Sequence, residues 1–150
     1  MEATFKPLGV RDIDIVTTMM QEFYAIDGYP IDIALSRSLF ERFIADEKLG
    51  RAWLIGSGEE TWGYVILTFV FSFEYKGIIA FLDELYISPT MQGHGLGKAA
   101  LDFIKAEVKQ AGIKIIYLEV EGHNEAAHNL YISKGFALHN RQLMKYSVPK

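Results

Sequence analysis

The sequence predicts an α/β (α+β) domain in which a mixed β-sheet carries helices on both faces. Three observations lead there. Apolar periodicity sets the element order β-α-α-β-β-β-α-β-α-β-β. Short turns join the three central strands as antiparallel hairpins. A strand–helix–strand run over 78–120 joins a parallel pair by a right-handed crossover.

Ala3–Leu8 reads as a short strand. Asp12 can cap a helix to about Ala25, with Ile13, Val16, Met19 or Met20 and Phe23 on one face. Gly28-Tyr29-Pro30 breaks it, and a second helix follows over Ile31–Ala45. Arg51–Gly56, Thr61–Phe71 and Ile78–Ile87 are strands separated by turns at Gly58-Glu59-Glu60 and Glu74-Tyr75-Lys76-Gly77. Leu96–Ala111 is an amphipathic helix stopped by Gly112. Ile115–Val120 is a buried strand, and Asn124–Lys134 is a short helix closed by Gly135. Two last strands are expected near Ala137–His139 and Gln142–Val148.

Composition narrows the function. Half of the 150 residues are hydrophobic and 23% are charged, which suits a folded chain rather than a disordered one. No linker or repeat interrupts it, so one domain over 1–150 is expected. The absence of cysteine removes disulfides, thiolate metal sites and any acyl-cysteine intermediate. A net charge of -4 argues against a nucleic-acid partner. No leader is evident, and apolar stretches such as Tyr64–Phe71 are too short to span a bilayer, so a cytoplasmic protein without a membrane partner is the default. His123 and His128 do not share a helix face, His94 lies in a loop and His139 reads as structural, so no metal site is expected.

Gln92-Gly93-His94-Gly95-Leu96-Gly97-Lys98 stands between a strand and a helix. Alternating glycines there bring bare backbone N–H groups to the positive end of a helix, which makes an anion site. Two nucleotide patterns fit it poorly. A mononucleotide loop would need glycine at Gln92 and a hydroxyl at Ala99, and a dinucleotide fingerprint would need glycine at Lys98.

The pattern Q-x-x-G-x-G instead resembles the pyrophosphate signature of the GNAT superfamily of N-acetyltransferases. Leu82 to Pro89 is similar to that family's central strand. Asn124 to Tyr131 with Gly135-Phe136 is similar to its second motif, N-x-x-A-x-x-L-Y-x-x-x-G-F. The resemblance implies a small single-domain member with a centrally splayed sheet. It implies acetyl-CoA as co-substrate, with pyrophosphate on the backbone of Gly93–Lys98 and contacts from Gln92, Asn124, Ala127 and Tyr131. The pantetheine arm would pair with the backbone of Leu85, Tyr86 and Ile87. The splay would lie between the strands at 78–87 and 115–120.

The chemistry implied is direct attack by a primary amine of a small molecule or peptide. Tyr131 is the expected general acid, since a phenol is protonated at neutral pH, although a packing role would also explain it. Asn124 contacts CoA or caps its helix. A backbone N–H such as that of Leu85 would hold the oxyanion. Glu84 and Asp83 are the candidate bases, acting directly or through water. Strict alternation would let only one of them face the amine, and an acid paired at the sheet surface is the plainer reading.

The same resemblance places the acceptor near the first interhelical loop, the turn at 73–76 and the final strands. Tyr24, Asp27 and Tyr29 with Glu84 are the candidate acceptor contacts, through charge and cation–π attraction. An apolar-alternating edge at Gln142–Val148 suggests a homodimer. A non-catalytic acyl-CoA sensor of the same fold, or a nucleotide-binding oxidoreductase, are the alternatives from other classes.

Overall fold

The computed structural model describes residues 2–150, which form two compact units, one up to Glu119 and one from Val120. The first unit contains β1 (Thr4–Pro7), α1 (Ile13–Ile26), α2 (Ile33–Ala45), β2 (Gly50–Ser57), β3 (Glu60–Ser72), β4 (Gly77–Ile87), α3 (Leu96–Gln110) and β5 (Ile116–Leu118). The second contains α4 (Glu125–Ser133).

The sheet runs β1-β2-β3-β4-β5, antiparallel up to β4 and parallel between β4 and β5. Its central strands are buried on both faces because alternate residues serve two layers. Leu54, Tyr64, Ile66 and Tyr86 pack with Val16 and Met20 of α1 and Phe40 of α2. The intervening residues Trp53, Ile55 and Val65 are buried on the other side. There Phe103 of α3 stacks on Phe5 at 4.3 Å and meets Trp53 edge-on at 5.2 Å. Asp32 caps α2 by accepting the Leu35 N–H at 3.1 Å. Asp12 stands at the α1 cap position, but its carboxylate turns back to the Gly9 N–H and Lys6 instead of capping.

Two departures from regular pairing shape β4. Its pairing with β5 covers Ala80↔Ile116 to Leu82↔Leu118 and then stops. The next opposed pair would be Asp83 and Glu119, and like charges directly opposite oppose pairing. The strand predicted over Ile115–Val120 is accordingly shortened to Ile116–Leu118 and is only half-buried. On its other edge, β4 pairs Leu82 with Leu67 and Glu84 with Ile66, so Asp83 is the extra residue of a β-bulge. The bulge changes which residues face α1 and α2. Phe81 lies opposite Thr68, while Glu84 and Tyr86 lie opposite Ile66 and Tyr64.

In the second unit, the C-terminal strands predicted at 137–139 and 142–148 do not form. Leu138, Leu143, Met144, Tyr146 and Val148 are exposed. Alternation marks a segment able to pair, but a strand also needs a partner edge, and no other strand lies within this unit. Among the described residues, no helix is long and apolar enough to cross a membrane.

Candidate active site

Glu84 is the centre of the site. Its carboxylate accepts two phenolic hydrogen bonds, from Tyr24 of α1 and Tyr64 of β3, each at 2.6 Å. Burial raises its pKa, with Asp83 adding to the rise, while the two phenols oppose it by stabilising the anion. Tyr64 has no exposed surface, and burial followed by the adjacent carboxylate pushes its own pKa up strongly. Tyr24 shifts the same way for the same causes. Both phenols therefore remain donors through the neutral range. Tyr86 closes the aromatic wall, 5.7 Å from Tyr64 and 5.3 Å from Phe23 between ring centres, and its hydroxyl donates to Glu22 at 3.1 Å.

Tyr24, Asp27, Tyr29 and Glu84 line one open cleft of about 340 Å³ together with Phe23. Tyr24 and Glu84 also border a second cleft of about 210 Å³, where Asp83 joins them. Strict alternation would have separated the two acids. The bulge instead lets Asp83 and Glu84 line the same cleft, which corrects the expectation that only one could face it. Burial and then the charge of Glu119 raise the Asp83 pKa. Tyr64 was not among the candidates from sequence. The available signal was a tyrosine inside an aliphatic strand, whose hydroxyl needs a buried acceptor.

The glycine loop lies beyond β4. Gln92 ties it to the strand end by donating to the Ile87 carbonyl at 3.1 Å, and Ser88 N–H donates to Trp62 O at 2.7 Å. Gly93 and Gly95 have φ of 82° and 76°, a region that other residues enter only with strain. A Cβ at either would project into open space with nothing within 4 Å. Leu96, Gly97 and Lys98 form the first turn of α3, and the Ala99 N–H closes that turn on Gly95 O at 3.0 Å. The three N–H groups before Ala99 are those a helix start leaves open. Open space over glycine at a helix N-terminus, beside the exposed Lys98, fits a pyrophosphate. His94 turns onto the loop's own backbone. Its Nδ1 lies 3.1 Å from Met91 O and 3.2 Å from Gln92 O, so that nitrogen carries the hydrogen. Leu85 and Ile87 are half-buried and Tyr86 is buried, and β5 pairs with β4 only as far as Leu82.

Asn124, Ala127 and Tyr131 belong to the second unit. Asn124 caps α4, accepting the Ala127 N–H at 3.0 Å. Tyr131 packs edge-on to Phe136 at 5.8 Å, and burial raises its pKa. Among the described residues, no group of three or more His, Asp or Glu could hold a metal ion.

The model of the Acetyltransferase (GNAT) family matches residues 15–136. Mycothiol acetyltransferase of Nocardiopsis dassonvillei is 39% identical over 72 residues, 46% of this chain and 22% of that protein. The [ribosomal protein bS18]-alanine N-acetyltransferase of Escherichia coli K12 is 39% identical over 57 residues, 38% of either chain. The chain thus spans less than half the length of both relatives. Among solved structures, an integron cassette protein from the Cole Harbour salt marsh metagenome superposes with a TM-score of 0.87 at 29% identity, covering 97% of this chain and 91% of its own. A protein of Clostridium acetobutylicum, described as a predicted acetyltransferase and solved with acetyl-CoA, shares the fold with a TM-score of 0.82 at 17% identity, covering 97% of this chain and 96% of its own. With the family model matching across both units, the chain belongs to the GNAT acetyltransferase family.

Proposed function

We propose that the protein transfers an acetyl group from acetyl-CoA to a primary amine in one step, without a covalent enzyme intermediate. The observation that carries this reading is the position of Glu84. A half-buried carboxylate held by two phenols sits on the stretch of β4 that β5 leaves unpaired, and that stretch leads directly into the glycine loop. Acetyl-CoA supplies an activated acetyl thioester. Gly93–Lys98 hold its pyrophosphate through backbone N–H groups, and the backbone of Leu85–Ile87 takes the pantetheine arm. The amine nitrogen forms its bond to the acetyl carbon as the carbon–sulfur bond breaks. Glu84, directly or through one water, takes the proton the amine loses. Asp83 attracts the cationic amine, the Leu85 N–H holds the oxyanion, and Tyr131 gives its proton to the leaving thiolate.

Glu84→Gln is the decisive variant. Glutamine keeps the shape and one carbonyl acceptor but cannot take a proton. The turnover of the first amine substrate found should fall roughly 100-fold. Two effects on stability oppose each other. The folded pKa of Glu84 is raised, so its protonated form favours the fold at acid pH and that contribution is lost as pH rises through the folded value. Against that gain, the amide nitrogen removes the acceptor of one of the two phenols, so a cooperative melt is measured beside turnover to show that the variant is folded. Unchanged turnover, with chemistry rate-limiting, would remove Glu84 from the base role.

Pairing of two copies through residues 142–148 belongs to the same reading, since Met144, Tyr146 and Val148 are exposed and form no strand in their own unit. Light scattering at micromolar concentration should give twice the 17.0 kDa chain mass. A monomeric mass would exclude the pairing.

A further inference from the structure

The two clefts meeting at Tyr24 and Glu84 are chemically different. The larger one is aromatic and acidic, with Asp27 and Glu84 both in its lining. The smaller one lies between α2 and the sheet, walled mainly by Leu39, Phe40 and Phe43 of α2, Met20 of α1 and Ile66 of β3, with Ser36 of α2 and Thr68 of β3 also in its lining. Both acids of the bulge also line this arm. Among the described residues, no lysine, arginine or histidine lines either cleft.

Each feature restricts what can bind. The paired acids favour a cation, which is the resting form of an alkylamine. A carboxylate or phosphonate beside the amine would meet those acids with no cation to offset them. A sugar amine would place several hydroxyls against Phe40, Phe43 and Ile66, with only Ser36 and Thr68 beside them to replace the water they lose. Size favours a small body, since the cleft holds about 210 Å³.

We infer that the acceptor is a small primary amine with an apolar body and no anionic group, its body in the arm between α2 and the sheet and its nitrogen at Asp83 and Glu84. This inference rests on the acetyltransferase reading above and adds the substrate class to it. The body gains from leaving water in proportion to its apolar surface, so chain length is the variable that reports the arm.

The experiment measures kcat/KM with acetyl-CoA for propylamine, butylamine, hexylamine, phenethylamine, phenylalanine, spermidine and an alanyl tetrapeptide. Hexylamine binding is followed separately by calorimetry. From propylamine to hexylamine, kcat/KM should rise about fourfold per methylene. Phenylalanine should fall at least about 100-fold below phenethylamine, because its carboxylate meets two acids. Ser36→Phe fills the arm from the α2 side. It should abolish the gain per methylene while propylamine is still turned over, with a cooperative melt confirming the fold. If that variant does not fold, the smaller Ser36→Leu at the same position serves for the same readout. A methylene gain that persists in the folded variant overturns the inference. So does faster transfer to spermidine, phenylalanine or the peptide, and that result leaves the acetyltransferase reading standing. Hexylamine binding without transfer to any amine retains the arm and overturns the acetyltransferase reading, and neither binding nor transfer overturns both.

Discussion

Gly95→Glu should weaken acetyl-CoA binding at least about 100-fold, or about 2.7 kcal/mol, while leaving the protein folded. Gly95 caps α3 with φ 76° and ψ 13°, and its missing side chain would point into open space. A glutamate there places volume and negative charge where a pyrophosphate would lie against the helix N-terminus. Backbone strain must be separated from this effect, since any residue with a Cβ pays about 1 kcal/mol in this region. Gly95→Ala carries the same strain with a single methyl group and should keep most of the affinity. Calorimetric titration of both variants, beside their melting temperatures, checks the argument. If the folded glutamate variant titrates as tightly as the alanine one, the loop does not hold the pyrophosphate.

Tyr131→Phe should lower kcat roughly 100-fold, the usual scale for losing an acid or base. The ring and its contact with Phe136 are retained, so the fold should be too. Acetyl-CoA affinity should change little, because the lost interaction develops in the transition state. A raised pKa has a further consequence. Burial keeps the phenol protonated above its ordinary value near 10, so the parent kcat should show no descending limb below about pH 10. Steady-state kinetics separates the alternatives: a raised KM for acetyl-CoA with kcat intact would mean an anchoring hydroxyl, and no change in either would mean a packing one.

Periodicity made most of the first unit legible, and the reasons are local. Helices α1, α2 and α3 each carry apolar residues at helical spacing on the face they bury, and the alternating glycines mark the loop before α3. What stayed hidden depends on contacts distant in sequence. Tyr24 and Glu84 are 60 residues apart, and Tyr64 reaches the same carboxylate from a neighbouring strand. Alternation from Phe81 sends Glu84 and Tyr86 to different faces from those they occupy relative to it, because a bulge leaves no mark in a hydropathy pattern. The final strands failed for the opposite reason. Their alternation is clear over 142–148, but pairing is a property of two segments and only one was visible.

The bulge also bears on chain length. It is an insertion that the sheet has already absorbed, since Leu82 and Glu84 sit opposite the consecutive residues Leu67 and Ile66. A shorter relative lacking residue 83 could keep every β3 contact and reach the same glycine loop, with one acid fewer in the cleft. A second insertion at this point would find no such slack and would move Glu84 away from both phenols. Gain or loss of a single residue here, without any change of side chain elsewhere, is therefore a route by which acceptor preference could diverge between chains of the same fold.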